Sequence, residues 1–385
     1  MHSAIYLDNA ATTKALPSVC HAVDQVLSHT YGNPSSLHTI GLHAEDILTA
    51  ARRELAGLLG VAAGDIIFTS GGTEADNMAV FGVAHAYQRR GRHIITSAVE
   101  HAALLAPSQA LEKLGWRITH VEVDDTGYVS PAKVGAAVEE DTVLVSIMSV
   151  NNEVGTKQPL AQIVQAVRAK KRDVIVHTDA VQALGKIPLN PQQLGVDMLS
   201  LSAHKIHGPK GCGALWVRQG VRLEPLFYGG LQEGGRRPGT ENMPGIAGFT
   251  AALKEISKQN AADLGAMRSA LIEGIQNNVP GAILNGPNSA QAAPHICNFS
   301  FPGLRAEVLV HALAQKGVYV STGAACSSIH KKTSHVLKAM GLPEERINGS
   351  LRFSLSWLNT LDEVEMAAHL VGQTVAELGG LKESE

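Results

Sequence analysis

Residues 199–211 read LSLSAHKIHGPKG: a run of apolar and small residues leads into Lys205, histidines stand at 204 and 207, and Gly-Pro-Lys-Gly then ends any regular structure. Lysine is among the residues least often fully buried, because an ammonium taken out of water is costly unless it is paired or neutralised. A lysine at the end of a buried strand therefore either escapes to solvent or has a chemical task. The strand is one of a set. DIIFTS (65–70), RHIITSAVEH (92–101), WRITHVEV (116–123), TVLVSIMSVNN (142–152), DVIVHTDAVQ (173–182), DMLSLSAHK (197–205) and GALWVRQ (213–219) are short runs separated by longer stretches of helical spacing such as 160–170. Most are apolar throughout rather than alternating, as strands covered by helices on both faces are. The pattern predicts an α/β fold on a mainly parallel, doubly wound, seven-stranded sheet.

Several of these strands end in a polar cluster: TSGGTE, SAVEH, VNNEVG, HTDAVQ and SAHK. Open α/β sheets bind ligands beyond the carboxyl ends of their strands, so clusters dispersed in sequence can meet in one crevice. After about residue 255 the texture changes to a long helical stretch (255–278), HICNFSF, a helix near 305–316, the strand GVYVSTG and a final helix from about 361. This predicts a large domain over 16–255 and a smaller α+β domain formed by 1–15 and 256–385.

With 385 residues and a formal net charge of -3, the chain has no electrostatic case for nucleic acid or anionic lipid as its main partner. MHSAIYLDNAATT lacks the basic region and apolar block of a signal peptide, and no later run approaches a membrane span, so a cytoplasmic protein is expected. Cys20, Cys212, Cys297 and Cys326 lie far apart and form no CxxC pair, which argues against a disulfide framework or a zinc site.

The clusters each admit a plain reading and a chemical one. Ser70 to Asn77 is a capped helix after a tight turn, or a helix start whose free N–H groups, with the Thr73 hydroxyl, hold a phosphate. It lacks both GxGxxG and GK[ST], so a nucleotide is not indicated. Asp179 caps the next helix, or is a buried carboxylate facing a cation such as a protonated heterocyclic nitrogen. His101 is structural, or stacks on a flat cofactor and shuttles protons. Cys326, among Ala and Ser and followed by IHKK, is a small residue at a turn or an accessible thiol near positive charge. Arg352 is a surface strand position or a bidentate clamp for a carboxylate. Taken together, a lysine, a buried Asp, a phosphate-suited helix start and a stacking His are what pyridoxal phosphate requires.

At this point YLDNAATT, GNPSSLH, FTSGGTEADN, VNNEVGT, HTDAVQ, LSLSAHKIHGPKG, RRPGTEN, STGAACSS and GSLRFSLSWLNT, in this order, resemble the cysteine desulfurases of the NifS/IscS type, from about residue 4 to 370. The resemblance implies a class V aminotransferase-like enzyme of the pyridoxal-phosphate fold type I. It implies Lys205 as the Schiff-base lysine, Asp179 at the pyridinium nitrogen, Gln182 at the phenolic oxygen and His101 stacked on the ring. The phosphate would be held by Gly72, Thr73, Ser202 and His204, with Thr240 reaching in from the second subunit of a homodimer. Asn152 and Arg352 would bind the carboxylate of L-cysteine. Cys326 would take the sulfur as a persulfide and deliver it to an acceptor such as an iron-sulfur scaffold, leaving L-alanine. The spacing from Cys326 to Ser334 resembles the branch of the family with the longer cysteine loop. Rival readings are an aminotransferase, which has no need of Cys326, a selenocysteine lyase, and a scaffold subunit, which would be expected to have lost Lys205, Asp179 or Cys326.

Overall fold

The seven apolar runs of the first half form one sheet in a computed structural model that describes residues 4–322 and 333–382. In chain order the strands are β1 (Ile5–Tyr6), β2 (Ile66–Thr69), β3 (His93–Ser97), β4 (Arg117–Val121), β5 (Thr142–Ser146), β6 (Ile175–Asp179), β7 (Met198–Ser202), β8 (Gly213–Val217), β9 (Ile283–Asn285), β10 (Ile296–Ser300), β11 (Val318–Tyr319) and β12 (Ser350–Ser354). The large sheet has the order β2-β8-β7-β6-β5-β3-β4, parallel from β4 through to β7, with β8 antiparallel to both its neighbours. Alternate side chains enter apolar clusters on opposite faces. Phe68, Ile95, Val145, Val176 and Leu199 join one, while Ile67, Ile94, Leu144, Ile175 and Met198 join the other. Burial on both sides is why these strands carry no polar alternation.

Every predicted strand of this sheet is present but shorter than its sequence run. DVIVHTDAVQ, for example, yields only Ile175–Asp179. Most of the surplus follows the parallel strands, where the chain leaves the ladder beyond its carboxyl edge. The helical stretch expected over 255–278 belongs to two helices, Met243–Ile256 and Ala261–Asn278. The chain changes cores between them: Phe249 and Ile256 pack in the large-sheet cluster, Leu264 and Leu271 in a second one. That second cluster is built on the antiparallel sheet β12-β10-β9, with Phe299, Phe301 and Phe353, and it takes in Ile5 and Leu7 from the N-terminal segment. β1 pairs with β11 in a separate two-stranded sheet. The predicted strand GVYVSTG is reduced to Val318–Tyr319 plus a bridge from Ser321 to Arg352. Among the described residues, no helix is long and apolar enough to cross a membrane.

The reversal of β8 brings Gly213 to the functional edge, in register with Ser202 and Thr69. A Cβ at Gly213 would lie 2.6 Å from the Leu201 carbonyl oxygen and 2.7 Å from the Gly71 backbone, neither of which can rotate away. Gly213→Ala must therefore push apart β7 and the start of the helix Gly72–Tyr87. We expect a stability loss of about 1–3 kcal/mol, as for other overpacked sites. A thermal melt checks it, and an unchanged melting temperature would show that the two backbones have room.

Candidate active site

The carboxyl ends of the large sheet open onto a cavity of about 350 Å³. It is lined by Gly72 and Thr73 after β2, His101 after β3, Asn152 after β5, and Asp179, Val181 and Gln182 at the end of β6. Ser202, His204 and Lys205 come from the end of β7, Arg352 from β12 and Ala10 and Ala11 from the N-terminal segment. The sequence-predicted residues thus meet in one place, with two exceptions. Thr240 lines a separate cavity of about 240 Å³, with Ser70, Arg237 and Glu241. Cys326 lies outside the described residues.

Lys205 follows β7 in a single 3-10 turn, and its Nζ donates to the carbonyl oxygens of Ala10 at 2.6 Å and Ala11 at 2.7 Å. Gln182 Nε2 donates to the same Ala10 oxygen at 2.9 Å, while its Oε1 is buried without a partner among the described residues. His204 Nδ1 lies 3.1 Å from Thr12 Oγ1, and burial, with Lys205 nearby, pushes its imidazole down to about 4. The N-terminal segment therefore touches three of the candidate groups at once.

Asp179 is buried and accepts a hydrogen bond from the Val181 N–H at 2.9 Å. Burial pushes its carboxyl upward, opposed by His101, the Val181 N–H and Lys205, so a further cation beside it would favour the charged form. His101 caps the helix Ala102–Lys113, and its Nδ1 accepts from the Ala103 N–H at 3.1 Å. That bond leaves Nε2 to carry the proton of the neutral ring. Burial lowers the His101 pKa against the pull of Asp179, so the neutral form is favoured.

Arg352 is 3% exposed. Its Nη2 pairs with Asp8 Oδ1 at 2.7 Å, Nη1 donates to the Asn152 carbonyl at 2.9 Å, and Nε is buried without a partner among the described residues. Ser202 Oγ is likewise buried and unpartnered. The flanks of the Cys326 segment are tied to the same region. Ser321 exchanges backbone hydrogen bonds with Arg352, and Ser334 caps the helix His335–Ala339 while bonding Glu153.

Sequence reasoning missed Asp8, the ion-pair partner of Arg352, and two further groups. Asp76, on the helix Gly72–Tyr87, lines the cavity beneath Asp179, bonds Ser200 and sits 3.7 Å from His177 Nε2. Burial and then the charge of Asp179 raise its carboxyl well above the ordinary range, and burial pushes His177 down to about 3, shifts that favour the neutral form of each. Lys186 is 2% exposed, donates to the carbonyl of Lys205 at 2.7 Å, and is pushed down to about 7 by burial and then by the Lys205 charge. A lysine inside the apolar run VQALGKIPL is the one signal that could have marked it.

The class-V aminotransferase family model matches residues 5–366. The cysteine desulfurase IscS of Methanosarcina thermophila is 43% identical, over 98% of this chain and 93% of its own length. Cysteine desulfurase 2 of Trichormus variabilis is also 43% identical, over 98% and 94%. This chain is a member of the cysteine desulfurase family. Among solved structures, a NifS-like protein matches the desulfurase with a TM-score of 0.91 at 38% identity, covering 97% of this chain and 99% of its own. SspA, solved in complex with cysteine, matches with a TM-score of 0.81 at 33% identity, covering 91% and 98%.

Enzymes of this family depend on pyridoxal phosphate. The residues of the desulfurase fit that cofactor on their own terms. The cavity offers unpartnered Ser202 Oγ and a helix start for a phosphate, a buried carboxylate for a ring nitrogen, and an amine for an aldehyde.

Glu100, next to His101, is fully buried, accepting from Ser97 Oγ at 2.6 Å and from the Met148 N–H at 3.0 Å. Burial pushes its carboxyl up to about 8 in spite of these bonds. The folded desulfurase thus keeps a proton that the unfolded chain releases near 4.5, so Glu100 makes stability fall as pH rises from 4.5 to about 8. Glu100→Gln is expected to flatten this fall, seen as a smaller difference between urea midpoints at about pH 5 and about pH 8. An identical difference in wild type and variant would place the proton elsewhere.

Proposed function

We propose that the enzyme removes sulfur from L-cysteine, releases L-alanine and leaves the sulfur as a persulfide on Cys326, from which an acceptor such as an iron-sulfur scaffold protein collects it. The observation that carries this reading is the meeting of Lys205, Asp179, Gln182, His101 and Arg352 around one cavity of about 350 Å³. Pyridoxal phosphate, when bound, supplies an electron sink that makes the α-proton of the amino acid removable. Gly72, Thr73, Ser202 and His204 would hold its phosphate, Asp179 its ring nitrogen and Gln182 its phenolic oxygen.

In this reading Arg352 and Asn152 hold the substrate carboxylate, and Lys205 as a free amine takes the α-proton. His101, whose neutral form is favoured and would carry its proton on Nε2, would stack on the ring and assist proton movement. The Cys326 thiolate attacks the substrate sulfur. A sulfur–sulfur bond forms as the carbon–sulfur bond breaks, and the electron pair left on carbon takes a proton to become the methyl group of alanine. We read residues 16–255 as the large domain, and 1–15 with 256–385 as the small one. The separate cluster of Ile5, Leu7, Phe299 and Phe353 supports that division. A cytoplasmic homodimer completes the reading, with Thr240 serving the partner's cofactor. The position of Thr240 outside the main cavity, and the exposure of Leu37, Tyr228 and Leu231 at 96%, 85% and 87%, support a covered face.

Sulfide and alanine released from L-cysteine under a reductant test the proposal. Wild type is expected to give equal yields. Cys326→Ala is expected to keep the cofactor and lose both products, and Lys205→Ala to lose turnover by on the order of 10²-fold or more. Alanine formed without Cys326 would contradict the assignment of the nucleophile.

A further inference from the structure

The segment YLDNAATT reaches the site, yet its one charged side chain, Asp8, has no part in the reading above. Asp8 holds the Arg352 guanidinium through Nη2 at 2.7 Å, and the pair is largely buried, at 3% exposure for the Arg side chain and 20% for the Asp. The aspartate is not a loose surface partner. Asp8 bridges to Ser354 on β12, the Ala10 N–H donates to Ser354 Oγ at 2.9 Å, and the Ser354 N–H donates to the Leu7 carbonyl at 2.7 Å. Asp8 and Arg352 are therefore fixed to one another across two adjoining segments. The guanidinium still has spare capacity, because Nε is buried without a partner among the described residues and Arg352 lines the cavity.

We infer that Asp8 is a built-in competitor for Arg352, a carboxylate that weakens its hold on the carboxylates of substrate and product alike. The inference rests on the reading that Arg352 binds the amino-acid carboxylate. Two effects of Asp8 oppose each other. It orients the guanidinium, which favours binding; it also neutralises the charge and repels a second carboxylate a few ångströms away. Like-charge repulsion at that range in a half-buried site outweighs one orienting hydrogen bond, and a neutral amide can supply that bond in any case. Binding energy spent equally on substrate and product raises no chemical rate and slows release of alanine, so a tempered Arg352 suits turnover.

The test uses the pyridoxal-phosphate-loaded enzyme, with Kd for L-alanine and for ethylamine read from the change in cofactor absorbance, and KM and kcat read for L-cysteine. Asp8→Asn keeps an oxygen for Nη2 and removes only the charge. It is expected to bind L-alanine about tenfold more tightly and to lower the KM for L-cysteine, with ethylamine binding unchanged. Asp8→Glu, which keeps the charge, is expected to behave as wild type, and Asp8→Ser serves as the neutral variant if Asp8→Asn does not fold. Weaker or unchanged alanine binding in the neutral variant would overturn the inference. Arg352→Gln separates the two levels. If it weakens alanine and spares ethylamine, Arg352 binds the carboxylate and the outcome for Asp8 stands on its own; if it leaves alanine binding unchanged, the reading of Arg352 fails and the inference falls with it.

Discussion

A lysine ammonium at the carboxyl edge of a parallel sheet must be given partners, and here they are the carbonyl oxygens of Ala10 and Ala11. Two backbone carbonyls hold the amine at a defined place on the rim of the cavity. The same short N-terminal segment accepts from Gln182, approaches His204 and supplies the carboxylate for Arg352. It leaves β1, whose Ile5 packs with the second cluster, and lies across the end of the large sheet. Residues at the end of the large sheet and Arg352 of β12 are thereby held around one cavity, and the geometry of the site depends on this seam more than on any single strand.

Beneath the cavity the polar groups are mostly neutral. Asp76, Glu100, His177 and Lys186 are all buried, and burial moves each toward its uncharged form. For Asp179 the upward push of burial is opposed by His101, a backbone N–H and Lys205. Neighbours biased toward neutrality avoid the cost of several unpaired buried ions, and a protonated ring nitrogen beside Asp179 would favour the charged form of that carboxyl.

Most of the large sheet was legible because its strands are buried on both faces and so appear as unbroken apolar runs. Their ends were not. Residues such as Ala98 to Glu100 or Ala180 to Gln182 continue the run in composition while the backbone turns away, a change that tertiary contacts decide. The helix break at 257–260 was missed for a similar reason, since it marks a change of core rather than a change of helix propensity. In the site, residues that end strands were identifiable from position and chemistry. Asp76, Lys186 and Asp8 were not, because each takes its meaning from a partner distant in sequence: Asp179, the carbonyl of Lys205, and Arg352.

The chemistry turns on which lysine carries the cofactor, and Lys186 donates to the backbone carbonyl of Lys205, so two lysines lie close together at the site. Borohydride reduction of the loaded enzyme fixes the cofactor to its lysine, and peptide mass mapping then identifies the residue. The label is expected on Lys205 alone. A label on Lys186, or on any other lysine, would contradict the central assignment.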